Sequence, residues 1–93
     1  MSEYVPPTQE ISHYKKKQAL LMGQPLSPRQ EEIIRMMVEG FKNIQIAGAL
    51  GISSQTVKNH VTGIFAKLGA THRTGAVVLY LQEHPELIRT LVP

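Results

Sequence analysis

The chain of 93 residues predicts an all-α fold, a single domain of four short helices preceded by an N-terminal arm. Three observations carry that prediction. Apolar residues recur at three- and four-residue spacing between Ile33 and Leu68, the period of an amphipathic helix. The repeats stop at Gly40, Gly51 and Gly69 and resume after hydroxyl or amide side chains suited to helix starts. The length is too short for two independent cores, since each would fall below the size at which burial offsets chain entropy.

The arm covers residues 1–24. Tyr4-Val5-Pro6-Pro7 reads as extended, and Ile11, Tyr14, Gln18 and Leu21 then allow a helix from about Thr8 to Met22, ended by Gly23. Lys15-Lys16-Lys17 inside it reads either as a phosphate contact or as a solvated helix face. The domain proper is expected over 25–84. Its first helix, Pro28 to Glu39, opens with Ser27 as N-cap, Pro28 at the first helical position and Gln30 at the capping-box position. Ile33, Ile34, Met37 and Val38 give it an apolar face, and Gly40 stops it. Asn43 is expected to cap a second helix with the apolar face Ile46, Ala47 and Leu50, ended by Gly51. Gly48 is its one discordant residue, costing roughly 1 kcal/mol in a helix interior.

Ser53 caps a third helix after a turn of about three residues, the length that makes a helix-turn-helix. Val57, Val61, Ile64 and Leu68 form its buried stripe, leaving Gln55, Asn59, Thr62 and Ala66 outward with Lys58 on their flank. None of these outward residues is acidic, which suits a helix lying against base edges and phosphates. A fourth helix runs from about Arg73 to Glu83, closed by His84-Pro85. Its six consecutive apolar residues, Ala76 to Leu81, exceed what one core hides. Ala76 with Tyr80 is expected to face the core, and Val77 or Val78 with Leu81 a dimer partner. The other reading has the arm, or Leu87, Ile88, Leu91 and Val92 of the tail 85–93, cover that face.

Charge is unevenly placed. Residues 1–39 hold five acids and five bases, whereas residues 40–82 hold no acid and carry Lys42, Lys58, Lys67 and Arg73. Residues 83–93, with Glu83, Glu86 and Arg89, bring the total to +3. A long stretch without carboxylates leaves a positive field of the kind that phosphate neutralisation uses. The same count argues against catalysis, because there is no Asp or Cys and every Glu lies outside that stretch. His13, His60, His72 and His84 include no pair spaced to clasp a metal from one helix face, so neither metal nor cofactor is expected. The longest apolar run is far short of a membrane span and the N-terminus has no signal pattern, which predicts a soluble intracellular protein.

Taken together, Leu26-Ser27-Pro28-Arg29, Gly40, Asn43-Ile44-Gln45-Ile46-Ala47, Leu50-Gly51-Ile52-Ser53, Thr56-Val57-Lys58-Asn59-His60-Val61, Ile64-Phe65-Ala66-Lys67-Leu68-Gly69 and Arg73-Thr74-Gly75-Ala76-Val77 resemble the LuxR-type (GerE-like) helix-turn-helix DNA-binding domain. The register is unbroken from about Leu26 to Tyr80. A sigma-factor region-four module is a neighbouring pattern, but the continuation from Lys67 to Val77 favours the LuxR type. The resemblance implies a transcriptional regulator of a prokaryote, its phage or plasmid, with a recognition helix at about 54–68 in the major groove of double-stranded DNA. It also implies dimerisation through the last helix on a two-part operator. By position it assigns base reading to Lys58, Asn59 and Thr62, with Gln55 beside them, and phosphate contact to Thr56, His60, Asn43 and Lys67. Lys58 suits guanine O6 and N7, and Asn59 suits adenine. His60 reads equally as a boundary residue packed on the second helix.

Two departures from the family pattern stand out, Gln45 and Gly75 where relatives usually carry Glu and often Glu or Gln. They put the familiar ion pairs in doubt and predict a weaker fourth helix. The expected partners are duplex DNA, a second copy of the chain, and RNA polymerase or a larger LuxR-type regulator. The expected location is cytoplasmic, at the nucleoid. Relatives usually add a receiver or signal-binding domain, for which 93 residues leave no room, so the domain reads as stand-alone. The rival reading is an anti-regulator that keeps the fold and pairs through the last helix with a full-length relative, although the intact run Thr56 to His60 speaks against it.

Overall fold

In the computed structural model, which describes residues 20–91, helix α1 spans Pro28–Val38. Its start is a complete capping box: Ser27 Oγ accepts the Gln30 N–H at 3.1 Å, and Gln30 Oε1 accepts the Ser27 N–H at 2.9 Å. Helix α2 spans Asn43–Leu50, α3 Ser54–Leu68 and α4 Arg73–Glu83. A single 3₁₀ turn at Pro85–Leu87 leads into a short α5, Ile88–Leu91, in a stretch that the sequence marks only as a tail. Among the described residues there is no strand, and no helix is long and apolar enough to cross a membrane.

Helices α1, α2 and α3 end alike. Gly40, Gly51 and Gly69 each take a positive φ, between 68° and 90°, that lets the chain leave the helix while the last carbonyls stay bonded. Phe41 N–H reaches the Met36 carbonyl at 3.0 Å, Ile52 that of Ala47 at 3.1 Å, and Ala70 that of Phe65 at 2.9 Å. These stops cut the chain into segments too short to stand alone, so tertiary burial holds them.

Helix α3 is the centre of the packing and touches α1, α2 and α4. Val57 and Ile64 are fully buried, as are Ile33 and Ile34 of α1 and Ile46 of α2. Each such side chain contributes roughly 1.5–3 kcal/mol on burial, enough for the core stripe to fix which face of α3 is left outside. From α4, Ala76 and Tyr80 enter the core, and the Tyr80 hydroxyl donates to Glu31 Oε2 while accepting from Arg35 Nε at 3.2 Å.

The details differ from the sequence reading at several points. Asn43 is not the cap of α2 but its first helical residue; Lys42 holds the cap position, and Gln45 Oε1 serves its N–H at 2.8 Å. Asn43 Oδ1 instead accepts from Arg73 Nη1, at 2.8 Å. Ala66, expected outward, is 8% exposed. It lies on the last turn of α3, beside which Met22 and Gly23 run: Gly23 N–H bonds the Lys67 carbonyl at 2.9 Å and the Met22 thioether overlies Gly69. The arm helix expected from Thr8 falls almost wholly outside the described residues, as do Tyr4-Pro7 and Lys15-Lys17. Leu20 and Leu21 are helical, and Gly23 follows with φ +83°. Helix α4 forms despite Gly75, because His72 Nδ1 caps it by accepting the Gly75 N–H at 3.0 Å.

Candidate nucleic-acid interface

The core stripe leaves one side of α3 outside, and on that side Gln55, Lys58, Asn59 and Thr62 are all exposed. The four expected base-reading residues therefore share a face. Two hydrogen bonds order it: Gln55 Nε2 donates to Asn59 Oδ1 at 3.1 Å, and the Thr62 hydroxyl donates back to the Lys58 carbonyl at 3.0 Å. The second bond uses the only hydroxyl hydrogen of Thr62, so toward an outside partner that hydroxyl is an acceptor. Lys58 is a donor only, and the amides of Gln55 and Asn59 supply both polarities. Such a mixed, acid-free set matches the donors and acceptors displayed along a major groove.

The expected phosphate contacts divide. Thr56 is half-buried at the first turn of α3, its N–H bonded to Ser53 Oγ at 3.0 Å and its hydroxyl 2.9 Å from the same atom. His60 is half-buried on the flank of the helix. Lys67 is half-buried, its ammonium donating to Gln30 Oε1 at 2.8 Å. Asn43 stands at the start of α2, where the first intrahelical bond runs from Ile46 N–H to the Lys42 carbonyl. The amides of Asn43, Ile44 and Gln45 thus have no partner within the helix and carry its positive dipole end.

Four residues of this region have roles that the sequence reading does not contain. Gln30 was read only as a capping residue, yet it is 8% exposed and its amide reaches α3 over Gly63. Arg73, one of the four cations of the acid-free stretch, donates to Asn43 Oδ1 and to the Phe41 carbonyl. Ile44 is 71% exposed on the first turn of α2, a large apolar side chain beside the free amides. His72 as a cap had a local signal, an acceptor side chain just before a helix with glycine three residues on. The contacts of Arg73 and Gln30 had none, since they join positions 30 and 37 residues apart.

On α4, Val77 packs against the core, while Val78 is 46% exposed and Leu81 is half-buried. Of the tail residues offered as a cover, Leu87 joins the core and Ile88 is 45% exposed. Among the described residues no group of three or more His, Cys, Asp or Glu side chains is placed to hold a metal ion.

Residues 24–80 match the family model of the luxR family of bacterial regulatory proteins. The chain is also similar to the response regulator ChrA of a heme-sensing two-component system, whose crystal structure aligns at 34% identity with a TM-score of 0.64. That alignment takes in 86% of this chain and 39% of the other, so the chain spans well under half of that regulator. With a match over more than half its length, resting on the same helix-turn-helix built here by α2 and α3, this chain belongs to the luxR family of bacterial regulatory proteins.

Proposed function

We propose that this protein is a transcriptional regulator that reads double-stranded DNA in a sequence-dependent way, with α3 in the major groove. The observation that carries the reading is the outward face of α3, where Gln55, Lys58, Asn59 and Thr62 are exposed together and no carboxylate accompanies them. A solvated helix face with no other task ordinarily includes acids, which the phosphates of a duplex would repel. Lys58 and Asn59 read bases in this proposal, Thr62 and Gln55 assist, and Thr56, His60 and Asn43 lie toward the backbone. Lys67 acts through the stability of the domain instead, because its ammonium is already bonded to Gln30.

The protein acts as a dimer through α4, with Val78 and Leu81 as the contact residues and Val77 behind them in the core. The role is binding, without catalysis, metal or cofactor, and its place is the cytoplasm at the nucleoid. RNA polymerase is the partner through which it would change transcription.

Selection from a randomised duplex library at about 150 mM salt tests this, since charges are then screened beyond roughly 8 Å and only specific complexes persist. Recovery of a motif with two related halves is the expected result. Recovery of no motif, with binding only at low salt, overturns it; capture of a larger relative by the same protein would then assign it the anti-regulator role.

A further inference from the structure

We propose that Arg73 is a positioning residue of the DNA-facing surface, holding the start of α2 for phosphate contact from its place at the start of α4. The proposal rests on the function given above. Arg73 is the first residue of α4, where the dipole of the helix disfavours a cation. It is half-buried, and among the described residues no carboxylate pairs with it; residues 40–82 contain none at all. For stability alone that is a poor placement of a charge.

Its bonds explain the placement. Nη1 donates to Asn43 Oδ1 at 2.8 Å and Nη2 donates to the Phe41 carbonyl. Both acceptors are neutral, and they flank Lys42, the cap of α2. One planar fork therefore fixes both sides of the corner from which the free amides of Asn43, Ile44 and Gln45 emerge. Holding the Asn43 oxygen also leaves its NH₂ as the part of that side chain able to meet an outside group, and a donor is what a phosphate oxygen requires. Because neither acceptor is charged, the guanidinium keeps its full positive field at the same corner.

The measurement is affinity for the selected operator and for an unrelated duplex across a salt series. The proteins are wild type, Arg73→Gln, Arg73→Lys, Asn43→Ala and the Arg73→Gln/Asn43→Ala double variant, with Arg35→Gln as a control that loses an equal charge and a hydrogen bond to Tyr80. Arg73→Gln is expected to bind both duplexes roughly tenfold more weakly, with the salt slope shallower by about one. Arg73→Lys, which keeps the charge without the fork, regains the slope and part of the affinity. The double variant binds no worse than Arg73→Gln alone, and Arg35→Gln binds as wild type does. In the free protein, Arg73→Gln shifts the NMR signals of the Asn43 side-chain amide. An unchanged salt slope in Arg73→Gln, or fully additive losses with Asn43→Ala, overturns the proposal. A wild type that binds no duplex overturns the function itself, and the Asn43 signals then report separately on the contact.

Discussion

Gln30 of α1 lies directly over Gly63 of α3: a β-carbon at Gly63 would stand 2.6 Å from Gln30 Nε2. The other end of the same amide, Oε1, accepts from both the Ser27 N–H and the Lys67 ammonium. One nearly buried side chain thus caps α1, joins it to α3 and holds a lysine, and it has room to do so because residue 63 has no side chain.

Gly63→Ala should therefore destabilise the protein by about 1 kcal/mol. Alanine gains about 1 kcal/mol in helix propensity, but displacing the Gln30 amide costs its two bonds, one of them to a charged group. In a Gln30→Ala background nothing remains to be displaced, and the same substitution should stabilise. Denaturant unfolding of the four proteins checks this, and a Gly63→Ala effect of the same sign in both backgrounds would refute the account.

Gly48 provides the contrast. It sits in the interior of α2, is exposed, and a β-carbon there meets nothing within 4 Å. Gly48→Ala should raise stability by about 1 kcal/mol and leave duplex affinity unchanged. Thermal unfolding and the operator titration together test it.

Two lysines of the acid-free stretch should separate cleanly. Lys58→Ala is expected to weaken operator binding by roughly 1–3 kcal/mol and to relax base preference, as is Asn59→Ala. Lys67→Ala should instead lower the unfolding midpoint and leave base preference intact, because its ammonium serves Gln30. Selection repeated with each variant, beside a melting curve, distinguishes the two outcomes.

Tyr80 gives a dependence on pH. Burial, followed by its hydrogen bond to the Glu31 carboxylate, raises its pKa above the ordinary 10.0, and the bond from Arg35 opposes this only in part. Above that pH the unfolded chain releases this proton before the folded one does. Fewer protons on the unfolded state means that stability falls as pH rises. The contribution is complete below pH 10.0 and is lost on passing upward through the folded-state value. The free energy of unfolding, measured through the alkaline range, should fall less steeply for Tyr80→Phe than for wild type; equal slopes would rule the linkage out.

What was legible in the sequence was local. Ser27, Pro28 and Gln30 start α1, and Gly40, Gly51 and Gly69 end three helices, because caps and left-handed turns are decided within four or five residues. The exposed face of α3 was legible as well, since Val57, Val61 and Ile64 settle which side is buried. Ala66 is the exception on that helix: it is buried on the last turn, next to the Lys67 carbonyl to which Gly23, from before α1, is bonded. Asn43 was misplaced by one position, its side chain serving an arginine thirty residues on. Lys67 and Arg73 were counted as cations without any indication that each had a partner, because hydrogen bonds between distant elements leave no periodic trace.

Those two side chains have an entropic consequence. Of the four Lys and Arg residues between positions 40 and 82, Lys67 and Arg73 are tied to neutral acceptors, so half of the positive charge is held in place without being cancelled. A freely rotating lysine loses rotamer entropy, up to about 2 kcal/mol, when it settles against a partner. For Arg73, at the corner where α2 begins, that ordering took place when the chain folded, and the attraction toward a polyanion begins there from a charge that is already fixed.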